Sequence, residues 1–237
     1  MARAQLSPET VSAMRQKLLA LALDIHRAEG LDAISFRRLA EAAGISHTLP
    51  YRYFDSKEAL LVALRVVCTQ RFEAHVRAHE AVTAPLPARI RSVAEGYVSF
   101  VEQHAAEYQL IFSTHQPPPD QYPELLAARR SLFDHAVNVV QDGIDDGLLR
   151  GDARALTHLF WLSLHGLMSL HVAGQLVHGC ALADLIEPLI ARIIGSDAAA
   201  PMTLPKPPRL PPINQQQRFA PVNALITPRR RRPGPRG

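Results

Sequence analysis

Two cysteines, Cys68 and Cys180, are all that the 237 residues contain. They lie far apart and lack C-x-x-C spacing, which excludes a disulfide framework and a zinc knuckle. Both fall in apolar helical contexts and read as buried, reduced thiols, as suits a cytoplasmic protein. No uninterrupted apolar run is long enough to cross a bilayer, so no membrane partner is expected. The opening "MARAQLSPET" lacks the apolar segment of a secretory signal. G-x-S-x-G, a Walker loop, a Rossmann glycine pattern and H-E-x-x-H are all absent. No nucleophile–base pair or pair of acids on one helix replaces them. The sequence therefore assigns no catalytic residue, no metal ligand and no cofactor. Strand pairs and internal repeats are missing too.

The net charge of +4 is not spread along the chain. Residues 196–237 carry eight Lys+Arg and one acid, which leaves 18 basic and 21 acidic residues for 1–195. The body thus has no basic excess, and a nucleic-acid face on it must be argued from local motifs. Ten of the 19 prolines also lie in those last 42 residues, which end "RRRRPGPRG". Such a segment cannot bury enough apolar surface to offset its ordering entropy, and 196–237 is read as a disordered tail. Its arginine run either binds DNA non-specifically or only solubilises.

What is present is helix after helix. Ser7 reads as an N-cap, Pro8 as the first helical residue and Gly30 as the stop. Between them Val11, Met14, Leu18, Leu21 and Ile25 recur at helical spacing. Ser35 caps a short helix that turns Leu39 and Ala42 inward, and Gly44 supplies a turn. A second short helix is expected from Ser46 into "YRYF". Asp55 or Ser56 then caps a helix to about Glu80, with Leu60, Leu64 and Val67 as its buried stripe. "TAPLP" at 83–87 breaks the chain. Further helices are expected over 88–113, with a bend near His104, and over 124–147, 153–178 and 181–195, with a kink at Pro188. "QPPPDQYP" at 116–123 is a loop.

Two short helices joined at Gly44 make a helix-turn-helix. The second is slender enough for the major groove, with its first residues facing base edges. Ser35 and Ser46 offer hydroxyls and helix N-termini to phosphates. Aromatic residues are only 6% of the chain, yet Tyr51, Tyr53 and Phe54 fall within four positions. The tyrosine rings can pack while their hydroxyls reach a phosphate backbone. Lys57 opens a helix, where a cation opposes the helix dipole unless it faces a polyanion.

"LAEAAGIS", "YRYF" and "SKEAL" at these spacings resemble the DNA-binding domain of the TetR family of bacterial transcriptional regulators, over about residues 12–72. The resemblance implies an all-α protein. It has a three-helix DNA-binding head (8–56), a helical-bundle ligand-binding and dimerisation domain (57–195) and the tail. It further implies that Ser35, Arg37, Ser46, Tyr51, Tyr53 and Lys57 contact phosphates, that His47, Thr48 and Leu49 face bases, and that Phe54 is the buried aromatic. Pro50 departs from the pattern. It cannot donate the first intrahelical bond to Ser46 and disfavours helix at Leu49. Either the first turn is distorted or the regular helix begins at Pro50.

"WLSLHGLMSL" puts Trp161, His165, Met168 and Val172 on one helical face and resembles a W-x-x-x-H-G subtype of the same family's C-terminal domain. "HAAEYQLIFS" at 104–113 resembles a segment that crosses the middle of such domains. Tyr97, Phe100, Tyr108, Phe112, Phe133, Trp161, His165 and Met168 are the candidate ligand-binding residues. Each is equally readable as core, and His165 as a hydrogen-bonded core residue. His75 and His79, spaced i,i+4, read as a solvated face rather than a metal site. Arg129 and Arg130 read as surface residues, with recognition of an acidic ligand as the alternative.

The resemblance implies a homodimer that reads a palindromic double-stranded DNA operator, with a small-molecule effector of unknown identity. A repressor is expected, and 153–178 with 181–195 as the dimer interface. The competing readings are a DNA-binding regulator without a ligand and a metal-dependent helical enzyme.

Overall fold

A computed structural model describes residues 7–113, 116–118 and 121–194. The expected tail lies outside the described residues. Those described form eight α-helices and two 3-10 turns, with no strand among them. No described helix is long and apolar enough to cross a membrane.

Helix α1 (Pro8–Glu29) starts where the Ser7 side chain accepts the Thr10 N–H, and it ends where the Gly30 N–H closes onto the His26 carbonyl. Its buried face begins at Leu18, while Val11, expected inward, is exposed. Helix α2 (Phe36–Ala43) is capped by Ser35, which accepts the Arg38 N–H. Its inward arc is Phe36, Leu39, Ala40 and Ala43, the i, i+3, i+4, i+7 set. Ala42 falls off that arc and is exposed, against expectation. Gly44 ends α2 in the left-handed region (φ 68°), which costs a residue with a Cβ more than it costs glycine.

Helix α3 (Lys57–His79) runs about 35 Å at 1.5 Å per residue, from the helix-turn-helix into the body. Ser56 caps it by accepting the Ala59 N–H. Leu60 and Leu64 are buried and Val67 half-buried. Helix α4 (Leu86–Gln103) packs on α3 at Gly96. A Cβ there would lie 2.9 Å from His79 Cβ and 3.2 Å from Val76 Cα, so the crossing needs a glycine. His104 (φ −133°, ψ 42°) breaks the run, and α5 (Ala105–Phe112) continues at a new angle, as the expected bend anticipates.

Helix α6 (Pro123–Asp145) packs on α3, and α7 (Ala153–Val172) packs on α6. Asp152 caps α7 through the Ala155 N–H at 2.8 Å. α7 is shorter than the expected 153–178, because the Gly174 N–H turns back to His171 and Gln175 N–H to Leu170. Helix α8 (Leu182–Ile194) continues through Pro188 and packs on α7 and α4. Of the two cysteines, Cys68 is buried, and its thiol is pushed up to about 12, first by burial and then by Glu107. Cys180 is exposed, because it lies in the loop between α7 and α8 rather than in a helix.

Candidate nucleic-acid interface and interior cavity

The second helix of the helix-turn-helix does not form as an α-helix. A single 3-10 turn, Pro50–Arg52, stands in its place. Pro50 has no N–H for the Ser46 carbonyl, so the Leu49 N–H takes that acceptor at 3.0 Å, three residues on instead of four. The same spacing repeats from Arg52 to Leu49 (3.0 Å) and from Tyr53 to Pro50 (3.0 Å). Of the two readings left open at Pro50, the distorted first turn is the one that forms, tightened to 3-10, and the regular helix expected from Pro50 is corrected to a single 3-10 turn.

The segment is held from below. Phe54 is buried, and Pro50, four residues before it, is buried too, its carbonyl accepting the Phe54 N–H at 3.2 Å. Arg15 of α1 donates to the Tyr53 carbonyl at 2.6 Å and sits over the Phe54 ring, 4.3 Å from its centroid. The Tyr51 ring packs edge-on against Phe36 at 4.4 Å, yet the residue stays 61% exposed. Tyr53 is half-buried. Ser46, His47 and Thr48 are exposed, with 3.3 Å between the two hydroxyls, and Leu49 is half-buried. The Arg37 side chain is 81% exposed, with Glu41 3.9 Å away. Lys57 is exposed and, among the described residues, makes only a long contact, 3.4 Å, to the Asp32 carbonyl. Ser35 is committed to capping α2, so its hydroxyl oxygen is already used as an acceptor. Arg37, His47, Thr48, Tyr51 and Lys57 thus present polar groups to solvent, and Phe54, Leu49 and Pro50 support them.

A cavity of about 520 Å³ lies among α3, α4, α5, α6 and α7. Of the eight candidate residues, Tyr97, Phe112, Phe133, Trp161 and His165 line it. Phe100, Tyr108 and Met168 do not; they are buried behind the wall. Tyr108 donates its position to the others: its hydroxyl lies 2.7 Å from His165 Nδ1 and 3.3 Å from the Tyr97 hydroxyl. Burial lowers the His165 pKa and raises that of both tyrosines, so it favours the uncharged form of each. Absent from the sequence-based set are Thr69 and Phe72 of α3, Gln116, and Leu132, His135 and Ala136 of α6, while Arg129, read there as a surface residue with ligand recognition as the alternative, lines the cavity. Arg129 is half-buried in the wall, not a surface residue, while Arg130 is exposed. The available signal was the spacing of Arg129, Leu132, Phe133 and Ala136, a cation on an otherwise apolar arc.

Of the pair read as a solvated face, His79 is exposed as expected and His75 is not. Their rings lie 4.3 Å apart, and His75 is half-buried, 3.1 Å from the Ser99 hydroxyl of α4. No group of three His, Cys, Asp or Glu side chains suited to a metal occurs among the described residues.

Between cavity and head stands one fully buried carboxylate. Glu107, in the first turn of α5, meets Arg27 of α1 at 2.5 Å and Arg71 of α3 at 3.0 Å. His26 of α1 adds a 2.9 Å contact to the Ala106 carbonyl. The other end of α5 supplies Ile111 and Phe112 to the cavity wall. One short helix therefore touches both regions.

Comparison with known proteins matches residues 18–64 to the bacterial regulatory proteins of the tetR family, and residues 90–193 to the Tetracyclin repressor-like C-terminal domain. The chain belongs to the TetR family. It is accordingly a helix-turn-helix, DNA-binding transcription regulator. A curated relative, the HTH-type transcriptional activator FasR of Mycolicibacterium smegmatis, is 29% identical over 98 residues. That match spans 41% of this chain and 45% of the relative, less than half its length. Among solved structures, a protein of unknown function from Rhodococcus sp. RHA1 superposes with a TM-score of 0.69 at 25% identity, covering 82% of this chain and 97% of that one. The FadR regulator of Bacillus subtilis, in complex with stearoyl-CoA, shares the fold with a TM-score of 0.63 at 14% identity, covering 76% and 97%.

Proposed function

We propose that this TetR-family regulator is a cytoplasmic homodimer whose hold on a palindromic operator is governed by a small molecule in the α3–α7 cavity. The observation that carries this reading is α5, which walls the cavity at Phe112 and grips α1 through Glu107. A ligand that shifts α5 changes the seating of α1, and with it the spacing of two heads on a dimer. The division into a head over 8–56 and an effector domain over 57–195 belongs to this reading, with α3 as the lever between them.

In the head, Arg37, Tyr51 and Lys57 supply phosphate contacts from exposed positions, with Ser35, Ser46 and Tyr53 at the same face. His47 and Thr48 are the base-facing pair, and Leu49, half-buried, shapes the turn beneath them. The reading element is a single three-residue 3-10 turn rather than an α-helix of several turns, so fewer side chains reach base edges. The candidate effector contacts are Tyr97, Phe112, Phe133, Trp161 and His165, while Phe100, Tyr108 and Met168 hold those in place.

Dimerisation is supported by α7. Its inner face, including Phe160, Leu164 and Met168, is buried, and its outer face exposes Leu159, Leu162 and Leu170 with open space at Gly166. A second copy covering that stripe gives a four-helix interface with α8. Leu162→Glu is expected to shift the protein from dimer to monomer by light scattering without lowering its helix content; an unchanged mass refutes this interface.

Purified full-length protein incubated with genomic DNA is expected to retain a small set of fragments that share a palindrome. Retention without sequence preference would overturn the regulator reading at this site. Repression, expected from the sequence, gains no support from the relative, which is by name an activator. The position of the recovered fragments relative to promoters fixes the sign.

A further inference from the structure

The cavity is lined mainly by apolar and aromatic side chains, with one guanidinium in its wall. Arg129 sits on the α6 arc that also carries Leu132, Phe133 and Ala136. Its Nη2 donates to the Gln116 side-chain oxygen. Gln116 is itself pinned, because its amide nitrogen donates to the Ile111 carbonyl (3.0 Å) and the Ser113 carbonyl (2.9 Å). The end of α5 thus holds the guanidinium at the cavity.

The other half-buried arginines among the described residues have a carboxylate: Arg89 has Glu80 and Asp142, and Arg91 has Glu187. No carboxylate among the described residues pairs with Arg129. Arg65, one turn before Thr69 of the wall, donates to the Ser113 hydroxyl at 3.3 Å, and Arg129 donates to the Gln116 side chain, so two guanidinium groups lie at the Ser113–Gln116 end of the cavity. Burial lowers the pKa of both, and for Arg65 the Arg129 charge adds to it. A desolvated guanidinium without an anion is costly in an apolar setting, and an anionic ligand removes that cost. Its planar fork suits a carboxylate or phosphate.

We propose that the effector is an anionic amphiphile, with its carboxylate or phosphate held by Arg129 and its apolar chain among Phe72, Phe112, Phe133 and Trp161. This rests on the cavity being the effector site. The shared chemistry has two sources, a free long-chain acid and an acyl conjugate bearing phosphates. A volume of about 520 Å³ accommodates the chain of either, within the usual range of about 300–1,000 Å³ for small-molecule sites.

The test is calorimetric titration of the full chain with dodecanoic acid, dodecanoyl-CoA and neutral dodecanol, each below its micellar concentration. Wild type is expected to bind at least one anionic probe more tightly than dodecanol. R129Q is expected to weaken that probe by about tenfold or more, leaving dodecanol binding unchanged and the melting temperature no lower, while R129K recovers part of the loss. Preference for the acid assigns the free carboxylate, and preference for the conjugate assigns the phosphates. Equal affinity for dodecanol, no binding of either anion, or undiminished anion binding by R129Q overturns the proposal. Should R129Q fail to fold, the order of affinities in wild type and R129K decides. Because no DNA is present, failure to retain genomic fragments tells against the regulator reading without touching this one.

Discussion

Phe54→Ala is expected to lower the unfolding free energy by about 3–5 kcal/mol, the usual cost of emptying a buried aromatic site. The ring is 2% exposed and belongs to the buried cluster that contains Leu18, Ala22, Leu39 and Leu60. It also carries the Arg15 guanidinium on its face. The 3-10 turn immediately before it has only three residues and makes few bonds of its own. Its geometry therefore depends on what lies below, and DNA affinity is expected to fall along with stability. Phe54→Leu retains most of the buried volume and is expected to cost far less. Urea denaturation of the two variants measures the difference, and a loss under about 1 kcal/mol for Phe54→Ala contradicts the role given to the ring.

Glu107→Ala is expected to destabilise the protein by about 2–3 kcal/mol. Breaking a buried ion pair from one side generally costs about 3–5 kcal/mol, because the partner is left without compensation. Here Arg27 and Arg71 have side chains 41% and 43% exposed, so both can turn towards water, and the lower figure applies. The functional effect separates this contact from mere stability. Without Glu107, α5 loses its ion pair with α1 and keeps the His26 contact to the Ala106 carbonyl, while the cavity wall at Ile111 and Phe112 is intact. Effector binding is expected to persist with little change, and its influence on DNA affinity to shrink towards none. Ligand titration with and without the operator fragment measures that coupling. An undiminished effector response in a folded Glu107→Ala variant rules out this route.

Much of the architecture was readable because it is local. Ser7, Ser35 and Ser56 announce three helix starts, Gly30 and Gly44 two ends, and His104 the break between α4 and α5. Each signal acts within one turn of the chain. Pro50 was legible as a conflict but not as an outcome. Its missing N–H forbids one bond, and only the packing of Phe54, Tyr51 and Arg15 decides that a 3-10 turn replaces the helix. Cys180 and the C-terminal end of α7 were misread because a run of apolar residues continued past the glycine that stops the helix. Arg129 was legible only as an alternative to a surface position, and Glu107 could not be placed from sequence at all. Their partners lie on other elements, 80 residues away in the case of Arg27 and Glu107, and a charged residue in a helical pattern reads by default as solvated.

The direct test of the central claim, that the face from Arg37 to Lys57 grips the DNA backbone, is the salt dependence of affinity for a recovered operator fragment. Arg37→Ala and Lys57→Ala each remove one exposed cation and leave the core untouched. The slope of log K against log salt is expected to flatten by about 0.9 for each, with the melting temperature unchanged. Unaltered slopes and affinities in both variants contradict the assignment of this face to DNA.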